Sequence, residues 1–242
     1  MKKIVIDQAF WEIFPQAQIS CLVVKGIDNS IDPAKESYFT ELLENGKREA
    51  KRFLTNATFS ENPVVQEWRE AFQKFKTKKG ARSSIEALLK RVNQDRTFFP
   101  INPLVDLYNS VSMKYGMPLG GEDLAAIAGD LHLGLAKGGE SFFPLGAEAD
   151  APALAGELIY YDEQGAICRC LNWREAQRTM LKEETVNAVL FIESINEEQH
   201  LRADAAMAEL KKLVEDYFKV ETSLSPPPPP PPPETAHTHP PP

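Results

Sequence analysis

The sequence predicts an α+β fold in which residues 1–224 form a single domain. Helix signals dominate the first part of the chain and strand signals dominate the part after a central helix, an order typical of α+β proteins. With 43% apolar and 26% charged residues, the composition is that of an ordinary globular protein. No run of about 18 apolar residues occurs, so no membrane-spanning helix is predicted.

The first part of the chain is predicted to be mostly helical. Asp32-Pro33 and Asn62-Pro63 each supply a capping residue and a first-turn proline. Apolar residues then recur at steps of three and four, as on the buried face of a helix. The predicted elements are strands at 1–7 and 19–25 and helices at 32–54, 62–75 and 83–93.

The second part combines a central helix, several strands and a closing helix. Pro103 opens the central helix and Gly116 ends it. The turn signal at residues 162–165 separates two apolar alternations and predicts a β-hairpin. The apolar run 188–192 predicts a strand buried on both faces. The predicted elements are helices at 103–115 and 197–218 and strands at 131–135, 141–145, 156–161, 166–171 and 186–194.

A proline-rich tail of residues 225–242 follows the domain. It contains eight consecutive prolines, Pro226–Pro233, and ends on three more. Such a segment forms no internal hydrogen bonds and no core, so the tail is predicted to be disordered. Two interpretations stay open for it: a ligand for a partner's aromatic groove, or an inert end.

The charge is acidic overall but includes one basic cluster. A net charge of −8 argues against a protein that coats nucleic acid broadly, and no DNA partner is predicted, because phosphate binding needs clustered cations. One such cluster is present, and it is either a local phosphate-binding patch or a solvated helix end. Its members are Lys74, Lys76, Lys78, Lys79 and Arg82.

The cysteines and histidines do not form a familiar catalytic or metal site. Cys168-x-Cys170 would need two further ligands for zinc, so both thiols, with Cys21, are interpreted as buried apolar groups of a cytoplasmic protein. A histidine nucleophile system would have to use His132 or His200, which are interpreted as structural. No cofactor and no metal ion are predicted.

Two concentrations of polar residues stand where core is expected. Asn102, Asp106 and Asn109 are four and three residues apart, which places them on one face of the central helix. Asn102 is also the expected cap of that helix. Buried polar groups need hydrogen-bond partners, so this face is a candidate site.

The second concentration follows the predicted hairpin, at residues 168–175. Arg174 can hold a carboxylate or phosphate in a forked geometry, or pair internally with an acid such as Asp106. Glu157 and Glu193 are carboxylates in apolar surroundings, where burial would raise their pKa towards that of a general base. The further candidates in this segment are Arg169, Asn172 and Glu175.

The stretches 101–109 and 116–124 resemble the third and fourth B modules of the bacterial phenylalanyl-tRNA synthetase beta subunit. The family motif there is Asn-x-Val-Val-Asp-x-Thr-Asn followed by Gly-x-Pro-x-His-x-Phe-Asp. Residues 156–157, 168–169 and 172–175, with Thr179, look like the stand-alone branch of this family. The resemblance covers roughly residues 10–220.

The resemblance implies a three-layer sandwich of two β-sheets with helices, surrounding a pocket that hydrolyses the ester of a mischarged aminoacyl-tRNA. One position departs from the motif, because Gly120 stands where the family has a pocket histidine. The motif matches are Asn102, Asp106, Asn109, Pro118 and Asp123, and Glu193 falls near the family's pocket glutamate.

The predicted function is therefore binding of the aminoacylated 3′ end of a tRNA, with hydrolysis in trans. The predicted catalytic residues are Asp106, Glu193 and Glu157; the substrate-binding residues are Asn102, Asn109, Gly120, Asn172, Arg174, Glu175 and Arg169; the tRNA-binding residues are Lys76, Lys78, Lys79 and Arg82. Two alternatives stay open: a binding module without catalysis, and an enzyme that acts on a small aminoacyl compound.

Overall fold

A computed structural model describes residues 2–225 of the protein. The predicted proline-rich tail, apart from Ser225, lies outside the described residues. No helix within the described part of the chain is both long enough and apolar enough to cross a membrane.

Within residues 2–225 the chain forms six α-helices, nine strands and three short 3₁₀ helices. The helices are α1 Gln8–Ile13, α2 Glu36–Ala50, α3 Pro63–Ala71, α4 Ser84–Asn93, α5 Pro103–Tyr115 and α6 Glu197–Phe218. The strands are β1 Ile4–Ile6, β2 Gln18–Lys25, β3 Leu119–Asp123, β4 Leu131–Leu135, β5 Leu158–Asp162, β6 Gly165–Arg169, β7 Arg174–Glu175, β8 Asn187–Ser194 and β9 Ser223–Leu224. The 3₁₀ helices are Pro33–Lys35, Lys51–Phe53 and Phe59–Glu61.

The strands form two sheets. The five-stranded sheet has the order β1-β4-β5-β6-β7, with β1 and β4 parallel and the other neighbours antiparallel. The four-stranded sheet has the order β3-β8-β2-β9 and is antiparallel throughout. The predicted α+β class is confirmed.

Strand β8 shows how the layers are stacked. Val189 and Phe191 on one face pack with residues of the five-stranded sheet, such as Ile167. Leu190 and Ile192 on the other face pack with helices α2, α5 and α6. A strand buried on both faces carries a nearly continuous apolar run, so the prediction for this segment is confirmed. The structure has the three layers that were predicted, and they are a five-stranded sheet, a four-stranded sheet and a layer of helices.

Local capping signals determine the ends of the long helices. The Asn102 side chain accepts a hydrogen bond from Val105 N at 3.1 Å and starts α5, while Gly116, with a φ of 62°, ends it. Asn196 caps α6 in the same way through Gln199 N at 2.9 Å. Both helices have the predicted bounds.

Several elements differ from the prediction. The predicted strand 141–145 is an irregular segment in which Pro144 makes an isolated bridge to Ala176. The helix predicted from residue 62 ends at Ala71, and the one predicted from residue 32 begins as a 3₁₀ turn. Strand β3 was not predicted, because Gly120 and Gly121 have little intrinsic preference for strands. Elements α1, β7 and β9 were also missed.

Candidate functional site

A cavity of about 290 Å³ lies between the two sheets and is flanked by helices α4 and α5. Strands β3 and β8 line it from one sheet and β5, β6 and β7 from the other. Helix α4 contributes residues spaced three and four apart, which is one helical face. These are Ser84, Ala87, Leu88 and Arg91.

Glu193 is a buried carboxyl group in this cavity, with 3% of its surface exposed. Tyr160 Oη donates a hydrogen bond to Oε1 at 2.8 Å, and Asn172 Nδ2 donates one to Oε2 at 3.2 Å. These donors belong to the opposite sheet and its connecting turn, so they fix the carboxyl group across the gap between the sheets. Burial raises the pKa of Glu193 to about 7.

Glu175, on β7, occupies space that a glycine leaves open. Gly121 N donates a hydrogen bond to Glu175 Oε1 at 3.4 Å, and burial raises the pKa of Glu175 to about 7. A Cβ atom at Gly120 would lie 3.0 Å from the same oxygen. Where the family motif has a histidine, this chain therefore has a glycine and a carboxyl group from another strand.

Glu122 is a third carboxyl group of the cavity, which the sequence reasoning missed. It lies on the face of β3 that Gly120 shares, since these two residues pair with Val189 and Phe191 of β8. Glu122 is 4% exposed, and burial, followed by the nearby Glu175 carboxylate, raises its pKa well above the ordinary value. Recognition of β3 as a strand would have predicted its inward orientation.

A strained turn holds Asn172 beside Glu193. The two preceding residues, Cys170 and Leu171, have φ values of 50° and 63°, which are left-handed conformations that side-chain-bearing residues seldom adopt. Asn172 O accepts a hydrogen bond from Ser84 N at 3.0 Å, which ties the turn to the start of α4. The turn thus joins a wall of the cavity to its helical cover.

The rim of the cavity is positively charged, unlike its interior. The guanidinium group of Arg174 is exposed and lies 5.0 Å from the centroid of the Trp173 ring. Arg91 is also exposed and lies 4.5 Å from the centroid of the Phe98 ring. Carboxyl groups inside and guanidinium groups at the rim would suit a ligand that is cationic at one end and anionic at the other.

Residues 67–219 match the family model described as the B3/4 domain, over more than half of the chain. The chain belongs to the B3/4 domain family. This membership confirms the predicted relation to the third and fourth B modules.

The chain is also similar to a solved structure, an N-terminal fragment of the phenylalanyl-tRNA synthetase beta-subunit from Pyrococcus horikoshii. The identity is 11% and the TM-score is 0.49, over 92% of this chain and 51% of the solved one. The chain thus spans about half the length of that fragment. The search of curated proteins gave no match.

In this B3/4 domain the polar face of α5 is divided between two places. Only Asn109 lines the central cavity. Asp106 accepts hydrogen bonds from Ile101 N at 2.9 and 3.1 Å, and Asn102 caps the helix and accepts one from Asn29 Nδ2 at 3.1 Å. The expectation that Asn102, Asp106 and Asn109 face one site is corrected. Helical side chains point towards the helix N-terminus, and Asn102 and Asp106 make their hydrogen bonds at the start of α5.

Asn102 and Asp106 line a second cavity of the domain, of about 260 Å³. It lies at the start of α5 and includes Asp32, Glu36 and the exposed ring of Phe99. Burial raises the pKa of Asp106 to about 7. The structure does not bring Asp106 to the carboxyl groups between the sheets.

Glu157 and Arg169 form a buried ion pair away from the central cavity. Arg169 Nε donates to Glu157 Oε2 at 2.8 Å, Arg169 Nη1 donates to Ala151 O at 2.6 Å, and the exposed fractions of the two charged side chains are 1% and 0%. An internal arginine–carboxylate pair was one interpretation of Arg174, which is exposed; the buried pair is formed by Arg169 with Glu157. Neither residue lines the cavity.

The predicted tRNA-binding residues lie in the segment between α3 and α4. Lys76, Lys78, Lys79 and Arg82 are all exposed. The segment contacts the five-stranded side through a hydrogen bond from Lys76 N to Gly156 O at 3.1 Å, and it leads into the helix that covers the cavity. The four cations therefore precede, in the chain, the helix that lines the cavity.

The cysteines of the domain are buried, as expected. Burial raises the pKa of Cys170 to about 11 and that of Cys168, which lines the cavity, well above its ordinary value. His132 Nδ1 lies 3.0 Å from Asp7 Oδ1 and outside the cavity. Within residues 2–225, no three His, Cys, Asp or Glu side chains converge as metal ligands.

Proposed function

We propose that this B3/4 domain binds the aminoacylated 3′ end of a tRNA and hydrolyses the ester bond in trans, as a step of translation quality control. The observation that carries the proposal is the placement of Glu193 and Glu175 in one cavity with apolar walls and a cationic rim. Family membership supports a role related to tRNA.

The rim is suited to the polynucleotide part of such a substrate. Exposed arginines and the cluster Lys76, Lys78, Lys79 and Arg82 provide cations for phosphate groups. Trp173, partly exposed at the cavity, provides a flat ring on which a terminal base can stack. The aminoacyl group would then enter the space between the sheets.

Glu193 is the general base of the proposed reaction. A carboxyl group with a pKa of about 7 is partly ionised at neutral pH and basic enough to take a proton from water. The water oxygen attacks the ester carbonyl carbon and Glu193 takes its proton. The bond to the ribose oxygen then breaks, and that oxygen takes the proton from Glu193, which restores the base. The products are a free amino acid and an uncharged tRNA.

The test is a deacylation panel over purified mischarged tRNAs, with Glu193→Gln as the diagnostic variant. We expect this variant to lower the deacylation rate by at least about 100-fold, the lower end of what a general base contributes. Glu12→Gln, an exposed residue of α1, is the matched control and should retain the full rate. Absence of hydrolysis with every tRNA, or full activity of Glu193→Gln, would refute the proposal.

A binding module without catalysis is the second candidate, and Gly120 favours it. The motif histidine is absent there, and Glu175 fills the space. This alternative predicts micromolar binding of tRNA in a gel shift with no turnover in the deacylation panel. The two assays together separate the candidates.

A further inference from the structure

We infer that the part of the cavity lined by Glu122, Glu175 and Asn172 is a subsite for a protonated primary amine, so that the aminoacyl group accepted there must carry a free ammonium group. This inference rests on the proposed function for the placement of the substrate. It adds a selection between free and N-acylated aminoacyl groups.

The first observation is a buried acceptor that lacks a donor. Within the described residues, Glu122 Oε2 makes no hydrogen bond of acceptable geometry, although its carboxyl group is almost completely buried. The Thr179 hydroxyl is its polar neighbour and lowers the pKa of Glu122 as a hydrogen-bond donor, although the two groups do not meet close hydrogen-bond geometry among residues 2–225. Buried polar groups of folded proteins are nearly always paired, so a lone acceptor at a cavity indicates a ligand that donates.

The second observation comes from a different element and points to the same chemistry. Asn172 Nδ2 donates a hydrogen bond to Glu193 Oε2 at 3.2 Å, and Asn172 Oδ1 remains an unused acceptor. Asn172 is 9% exposed, and its Oδ1 is another buried atom for which the described part of the chain provides no donor. Two cavity residues on separate strands or turns thus both lack a donor.

The carboxyl groups of the cavity decide which kind of donor fits: burial raises their pKa values, and a cation beside them favours their ionised form. Glu122, Glu175 and Glu193 all line it, whereas the guanidinium groups of Arg91 and Arg174 are exposed at the rim. An ammonium group offers three N–H donors and one positive charge, which matches carboxylate and amide oxygens. An N-acylated amine offers one donor and no charge, so it leaves buried acceptors unpaired.

A metal ion is the other cation that carboxylates hold, and the geometry favours the organic cation. Metal ligands converge on one point at about 2.0–2.6 Å. In residues 2–225 no group of three such side chains is arranged in that way. An ammonium group needs only acceptor oxygens at hydrogen-bonding distance around it, and these do not have to converge on one point.

The test uses small probes, so that it does not depend on tRNA or on hydrolysis. Binding of phenylalaninamide and of N-acetylphenylalaninamide to the full chain is measured by titration calorimetry. We expect the free amine to bind at least about tenfold more tightly, because a site with buried acceptors rejects a ligand that cannot pair with them. Glu122→Gln and Glu175→Gln should each reduce this preference, and Glu12→Gln should leave it unchanged.

Equal affinity of the two amides, no binding of either at millimolar concentration, or an unchanged preference in both cavity variants would overturn the subsite. Thermal unfolding of each variant checks that it is folded. A chain that prefers the free amine but hydrolyses no aminoacyl-tRNA would keep the subsite and lose the proposed function. A chain that hydrolyses aminoacyl-tRNA but binds both amides equally would do the reverse.

Discussion

At the scale of single residues, burial shifts the pKa values of the cavity carboxyl groups more than their hydrogen bonds do. Glu193 accepts two hydrogen bonds and Asp106 accepts from one backbone amide, yet burial raises the pKa of both to about 7. Arg169 and Glu157, by contrast, are buried and form a salt bridge with each other. Such a pair fixes the position of the hairpin but offers no free group for a substrate.

The raised pKa values predict how stability depends on pH. In the unfolded chain Glu193 loses its proton near its ordinary pKa of 4.5, whereas in the folded protein it keeps the proton until about pH 7. Its contribution to stability is therefore fully present below about pH 4.5 and is lost as the pH rises through about 7. We expect the free energy of unfolding, measured with urea, to fall between pH 5 and pH 8.

Glu193→Gln removes this titrating group, so the variant should show a shallower decline than the wild type over the same pH range. Glu12→Gln is the control and should follow the wild-type curve. Identical slopes for wild type and Glu193→Gln would show that the folded protein does not hold this proton.

At the scale of elements, the helical layer is packed closely enough to determine the position of α5. A Cβ atom at Gly46 of α2 would lie 2.7 Å from Ser110 O, a backbone atom of α5. The same helix carries Tyr108 and Asn109 to the cavity. The spacing between α2 and α5 therefore positions one wall of the site.

Gly46→Ala tests this packing. Alanine favours a helix over glycine by about 1 kcal/mol, but overpacking a tight core costs about 1–3 kcal/mol. Because the added methyl group would clash with backbone, we expect the overpacking to outweigh the gain in helix propensity. The free energy of unfolding, measured with urea, should fall by about 1 kcal/mol. Thr40→Ala, on the exposed face of α2, is the control and should not destabilise. A gain in stability at Gly46 would mean that the two helices separate easily.

At the scale of the whole molecule, a net charge of −8 coexists with a local cationic surface. Lys76, Lys78, Lys79 and Arg82 lie before the helix that covers the cavity. Screening limits the reach of exposed charges to about 8–10 Å at physiological salt, so the local cluster matters more to a polyanion at this surface than the overall charge does.

A triple variant, Lys78→Ala with Lys79→Ala and Arg82→Ala, tests the role of this surface. We expect tRNA binding to weaken by about tenfold or more and to depend less steeply on salt, because fewer counterions are released. Binding of small amine probes in the cavity should not change. The control replaces three exposed lysines that do not line the cavity, Lys25, Lys35 and Lys51, and changes the net charge equally. Equal losses in both triple variants would argue against a specific surface.

Local signals explain what could be read from the sequence. The bounds of α5 and α6 depend on Asn102, Gly116 and Asn196, each of which acts on backbone groups a few residues away. The hairpin of β5 and β6 depends on a four-residue turn. The glycine-rich strand β3 has no such signal and exists through its pairing with β8, so its inward-facing Glu122 was not foreseen.

By itself, the sequence determined the α+β class, the two capped helices, the family, and a set of polar residues from which a site could be built. The tertiary structure alone decided which of them meet: it brings Glu175 and Glu193 together with Glu122, and it places Asp106 in another cavity. The reason is physical. Capping and periodicity act over a few residues, whereas a cavity between two sheets depends on side chains far apart in the chain that only the packing of the sheets makes neighbours.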